Sequence, residues 1–186
     1  MGRRAVLFIQ GAGDMWHPEG SAHLAAYLSR ELGLEYELSA PPMPDAEDPQ
    51  YATWRDAIAA AIAEDDGPLI IVGHSLGASV LLRHLSEDPH PKSEIRGIFL
   101  VSTPWWGPRG GQFDEYAVLD DFGSRLPAAP VFLYQSRDDA EIPVSSLGEY
   151  EERLPQATSR RVAGSEHSFV HGLPVLVKDI RSLAKA

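Results

Sequence analysis

The chain has 186 residues and no cysteine, and its 27 acidic against 16 basic side chains give a formal net charge of −11. That length suits one domain able to bury its own core, and the lack of cysteine excludes disulfides, thiolate metal sites and a cysteine nucleophile. The acidic balance opposes a phosphate backbone or an anionic membrane surface, so neither a nucleic-acid nor a membrane partner is expected.

The chain opens on "MGRRAVLFIQGAG", in which two arginines precede an apolar run, Ala5 to Ile9, that is too short for a secretory h-region. No later run reaches the length of a membrane span, and a soluble, cytoplasmic protein is expected. Ala5 to Ile9 reads as a first strand, and Leu24, Tyr27, Leu28 and Leu32 recur at helical spacing. "EYEL", Glu35 to Leu38, alternates polar with apolar and reads as an edge strand. The proline-rich "SAPPMPDAEDPQ", Ser39 to Gln50, is a loop, and Trp54, Ile58 and Ile62 mark a second helix.

Leu69 to Val72 is wholly apolar, as a strand covered on both faces should be, and Leu76, Val80 and Leu81 begin the next helical stripe. Ile95 to Val101 and Val131 to Tyr134 are further buried strands. Between them Ser102 to Ser124 is too long for a bare connection and predicts a lid-like or binding loop. Leu147, Tyr150 and Leu154 give a helix, "TSRRVA" from Thr158 gives the other edge strand, and Leu173, Leu176, Val177 and Ile180 give the last helix. Strands alternating with helices predict an α/β fold of βα units around a mostly parallel six-stranded sheet, in one domain over residues 1–186.

Between that third strand and its helix stands Gly73-His74-Ser75-Leu76-Gly77, a match to G-x-S-x-G. The turn from strand to helix is tight enough that side chains at Gly73 and Gly77 would collide with their neighbours, while Ser75 is lifted clear of the sheet. The plainer reading is a serine capping a helix. A serine hydroxyl needs a base and an orienting carboxylate to become a nucleophile, and the loops after later strands supply both. "QSRDDAEIP" offers Asp138 and Asp139, of which Asp139, with Ile142 and Pro143 three and four residues on, is favoured by its resemblance to the acid motif common in hydrolases. The other aspartate is expected to bond turn backbone. "GSEHSF" offers His167 as the base, whereas His171 falls near the start of the last helix and His74 should point away from the serine.

Oxyanion donors are expected from the main-chain N–H of Leu76, at a helix N-terminus, and of Ala12, in the glycine-rich loop after the first strand. Gln10 opens that loop and is a candidate substrate contact. Trp105 and Trp106, with Phe113 and Tyr116, make the long loop aromatic and are candidates to line an apolar pocket; the alternative is that they fasten the loop to the sheet. No histidine pair has metal-binding spacing, and "GAGDMW" lacks the glycines and lysine of a nucleotide loop, so neither metal nor cofactor is expected.

"FIQGAG", "MPDAEDPQYATW", "VGHSLGAS", "SRDDAEIP" and "EHSF" together resemble the α/β-hydrolase superfamily, and within it the small cap-less serine hydrolases of the retinoblastoma-binding protein 9 and YdeN group. The resemblance implies a three-layer α/β/α sandwich, a minimal α/β-hydrolase fold without a cap domain. It implies a triad of Ser75, Asp139 and His167, with Glu166 standing where the family usually has glycine. The expected activity is hydrolysis of a small acyl substrate, a carboxylic ester, thioester or activated amide. The same residues would serve an acyltransferase or perhydrolase, and a binding protein could keep the fold with an idle triad.

Overall fold

The computed structural model describes residues 2–88, 91, 93–107 and 114–183. Among the described residues six strands form one sheet: β1 (Arg4–Ile9), β2 (Tyr36–Ser39), β3 (Leu69–His74), β4 (Ile95–Val101), β5 (Val131–Ser136) and β6 (Thr158–Val162). Their order is β2-β1-β3-β4-β5-β6, and every adjacent pair is parallel. The two segments with polar or alternating patterns, β2 and β6, are the two edges, whereas all six residues of β3 are buried. Parallel neighbours must be joined by crossovers, and the crossovers cover both faces.

Among the described residues six α-helices do the covering: α1 (Ala22–Leu32), α2 (Tyr51–Ala63), α3 (Leu76–Glu87), the short α4 (Phe122–Arg125), α5 (Ser145–Arg153) and α6 (Pro174–Ser182). Alternation along the strands splits the apolar residues between two cores. Leu7, Ile9 and Ile71 pack on one face with Ile58 of α2, Leu81 of α3 and Leu147 of α5. Val6, Phe8, Ile70 and Val72 pack on the other with Leu24 and Leu28 of α1 and Leu176 and Ile180 of α6. The result is a three-layer α/β/α sandwich. Among the described residues no helix is long and apolar enough to cross a membrane.

The order reverses at β1, whose connection runs one way to β2 while β3 lies on its other side. In an open parallel sheet such a reversal leaves a crevice at the carboxyl ends of the strands, where ligands bind. Here that switch point falls between the loop after β1 and the turn after β3, where Gly11 passes close to Ser75.

Candidate active site

Ser75 occupies a left-handed backbone conformation, φ 52° and ψ −126°, which costs a non-glycine residue about 1–3 kcal/mol. The surroundings enforce it. The Ser75 N–H donates to the Val101 carbonyl of β4 at 2.8 Å, fixing the turn to the neighbouring strand. A Cβ on Gly77 would come within 2.1 Å of the Gln10 carbonyl oxygen, and one on Gly73 within 2.7 Å of Ala78 Cα, so both glycines are clearance. Ser75 holds the N-cap position of α3, but its hydroxyl makes no capping bond. It faces His167 instead, with Ser75 Oγ 3.0 Å from His167 Nε2.

The other imidazole nitrogen, Nδ1, is 2.9 Å from Asp139 Oδ2. A carboxylate can only accept, so Nδ1 carries the proton and Nε2 is left to accept from the serine hydroxyl. Asp139 is held from four sides: Oδ2 also accepts from Gln135 Nε2, and Oδ1 accepts from the main-chain N–H groups of Glu141 and Ile142. Burial alone would raise its pKa, but the hydrogen bonds from His167 and from the Ile142 N–H outweigh that and hold it at about 2. The side chain has no exposed surface. Asp138 does not bond its own turn: its exposed carboxylate accepts the Gly164 N–H and ties the β5 loop to the β6 loop, while the N–H groups of this turn go to Asp139.

Leu76 is the first residue of α3, so its N–H has no acceptor within the helix. In the loop after β1, Gly11 N–H donates to Ser21 Oγ and Gly13 N–H to the Ala46 carbonyl. Ala12 between them has no main-chain acceptor among the described residues. Gly11 passes so close that a Cβ there would lie 3.0 Å from Ser75 Cβ. The two N–H groups expected to hold an oxyanion therefore flank the serine on separate elements.

A second histidine completes the assembly. His74 is buried, with Nε2 3.0 Å from the His167 carbonyl oxygen and Nδ1 2.8 Å from Ser21 Oγ. The carbonyl can only accept, so Nε2 carries the proton, Nδ1 accepts from Ser21, and Ser21 accepts in turn from Gly11. This chain of bonds couples the loop bearing Ala12 to the loop bearing His167. Burial, and then the charge of His167, push the His74 pKa down to about 4, so the ring is neutral near pH 7.

Comparison with known proteins gives the family and the fold. Residues 11–163 match the family model described as serine hydrolase. The chain belongs to the serine hydrolase family. No curated protein matches it. Among solved structures, this serine hydrolase is similar to the ydeN gene product of B. subtilis, at 20% identity and a TM-score of 0.76 over 98% of this chain and 100% of that one. It is also similar to 2-hydroxy-6-oxo-6-phenylhexa-2,4-dienoate hydrolase from Rhodococcus sp. strain RHA1, at 13% identity and TM-score 0.76 over 99% and 91%. The esterase RhEst1 from Rhodococcus sp. ECU1013 is 18% identical with a TM-score of 0.67 over 99% and 91%. At these identities the likeness is one of fold.

Three expected substrate contacts have other work in this serine hydrolase. Gln10 is only 2% exposed. Its Nε2 donates to the Gly13 carbonyl and its Oε1 accepts the Met43 N–H, so it braces the β1 loop. Trp105 sets its ring edge-on to Tyr150 under Arg153, and Trp106 donates Nε1–H to Ser79 Oγ and packs on Tyr116. Both rings fasten the start of the long loop to α3 and α5. Its middle is held by Arg83, which donates to the carbonyls of Asp114 and Glu115. Phe113 lies outside the described residues. His17, His23 and His171 are exposed, and among the described residues no group of His, Asp or Glu could hold a metal ion.

Sequence reasoning missed Ser21, Gln135 and the job of His74. The available signal was position: a glutamine and a histidine closing otherwise apolar strands, β5 and β3, need partners inside the fold.

Proposed function

We propose that this chain is a carboxylesterase-like hydrolase that cleaves a small acyl substrate, a carboxylic ester, thioester or activated amide, through a Ser75 acyl-enzyme. The observation that carries the reading is the continuous relay from Ser75 Oγ to His167 Nε2 at 3.0 Å and from His167 Nδ1 to Asp139 at 2.9 Å.

In the first half-reaction His167 Nε2 takes the serine proton as Oγ bonds to the acyl carbon, and the carbonyl π pair moves to oxygen. The N–H groups of Ala12 and Leu76 stabilise that oxyanion. Collapse breaks the bond to the leaving group, which receives the proton from His167, and water then repeats the cycle to free the acid. Asp139 holds the imidazole tautomer and supports its positive charge without taking the proton.

The test is a screen of acyl esters with wild type and Ser75→Ala in parallel, together with labelling by a fluorophosphonate. Wild type should be labelled and active, and Ser75→Ala should be unlabelled and slower by about three orders of magnitude or more. A Ser75→Ala protein that kept the esterase activity, beside a wild type that resisted the probe, would falsify the mechanism.

A further inference from the structure

A second carboxylate stands at the catalytic face of the imidazole. Glu141 Oε2 lies 3.7 Å from His167 Nε2, the nitrogen that also faces Ser75. Its side chain is 63% exposed, open to solvent and to whatever enters the site. Its main-chain N–H is tied to Asp139 Oδ1 at 2.9 Å, which fixes where the side chain starts. Neither the serine's activation nor the imidazole's orientation uses this group.

We propose that Glu141 sets the charge preference of the site for the leaving group, favouring acyl substrates whose alcohol or thiol carries a cation. The inference rests on the hydrolase reading above. In that reaction His167 Nε2 hands its proton to the leaving-group heteroatom, which must therefore come within hydrogen-bonding reach of Nε2. The first few atoms of the leaving group are then neighbours of the Glu141 carboxylate. An ammonium two methylenes from the ester oxygen gains attraction there, and a phosphate or carboxylate in the same place meets repulsion.

The surrounding loops reinforce the sign. The three loops that carry site groups, residues 10–21, 137–144 and 163–173, bear the exposed acids Asp14, Glu19, Asp138, Glu141 and Glu166, with Arg137 the lone lysine or arginine among them. The field at the mouth is negative, so it raises the local concentration of cationic substrate and lowers that of anionic thioesters.

The experiment compares butyrylcholine with 3,3-dimethylbutyl butyrate, which replaces the quaternary nitrogen by carbon, in wild type and Glu141→Gln at low and high salt. The ratio of kcat/KM for the cationic over the neutral ester should fall about fivefold in Glu141→Gln at low salt, a size set by one screened charge pair at the surface. High salt should shrink the wild-type ratio toward that of the variant. The same comparison is made on rates of Ser75 inactivation by an organophosphonate with a thiocholine leaving group and by its uncharged carbon analogue, which needs no turnover. A ratio unchanged by Glu141→Gln in an active or labelled enzyme overturns the inference alone. If wild type hydrolyses neither ester and Ser75 reacts with neither reagent, the hydrolase reading fails and takes the inference with it.

Discussion

The buried ring of His74 donates its Nε2 proton to the main-chain carbonyl of His167 at 3.0 Å. The Ser21 hydroxyl bonds onto the other nitrogen, Nδ1, which can accept only in a neutral imidazole, and burial enforces that state by lowering the pKa to about 4. The unfolded chain takes up that proton near pH 6.5 and the folded one only near 4, so the folded state loses ground as pH falls through the interval. At about 1.4 kcal/mol per pKa unit, wild type should lose about 3 kcal/mol of stability between pH 7 and pH 4 through this residue. The charges facing the ring from neighbouring elements, His167 and Asp139, oppose one another. Urea midpoints across that range should slope steeply for wild type and more gently for His74→Gln. Parallel slopes would show that the proton is not excluded.

Asp139 and Asp138 are adjacent in sequence and unlike in consequence. The Asp139 carboxylate accepts four hydrogen bonds, two from side chains and two from main-chain N–H groups. Its pKa lies near 2, below the ordinary 3.8, so it stabilises the fold above about pH 4 and loses that contribution as pH falls toward 2. Asp139→Asn should lower kcat by about three to four orders of magnitude, because the imidazole loses the partner that fixes its tautomer. It should also remove on the order of 2 kcal/mol of stability at pH 7, a deficit that narrows on acidification to pH 2. Asp138→Ala breaks the link to Gly164 and should cost a little stability while leaving kcat within a few-fold. Steady-state kinetics and acid titration of both variants separate the two aspartates, and the reverse ranking in kcat would move the acid to Asp138.

The sandwich was legible because its central strands carry nearly continuous apolar runs and the two edges carry polar patterns, which separates the interior of the sheet from its edges. Ser75 was legible because a turn that tight demands glycine at 73 and 77 whatever the rest of the chain does. Glu166 shows the same logic inverted: φ is 49° there, a conformation glycine takes freely, which accounts for the family's usual residue and leaves this chain with local strain. The partners of Trp105, Trp106 and Gln10 were not legible, because residue type reveals what a side chain could do and not where its polar atoms find partners. The Ser21–His74 bond joins positions 53 apart. No local pattern announces a contact of that kind; it exists because β1 and β3 are paired in register.

Two glycines in helices make opposite predictions and together test whether close approach or flexibility is at stake. Gly77 lies in the first turn of α3, where an added Cβ would meet the Gln10 carbonyl oxygen at 2.1 Å and Ile9 Cγ2 at 2.8 Å. Neither atom can yield without moving β1 or the loop that carries Ala12. Gly77→Ala should therefore cost roughly 2 kcal/mol or more, by forcing the helix off the strand. It should also reduce kcat, since the Leu76 N–H moves with that first turn. Gly148 sits inside α5 with nothing within 4 Å of its would-be Cβ. There the same substitution only restricts the unfolded chain and favours helix, so Gly148→Ala should gain about 0.5–1 kcal/mol with activity unchanged. Thermal midpoints of the two variants should shift in opposite directions, and a neutral Gly77→Ala would mean that α3 and β1 do not approach as closely as the elbow requires.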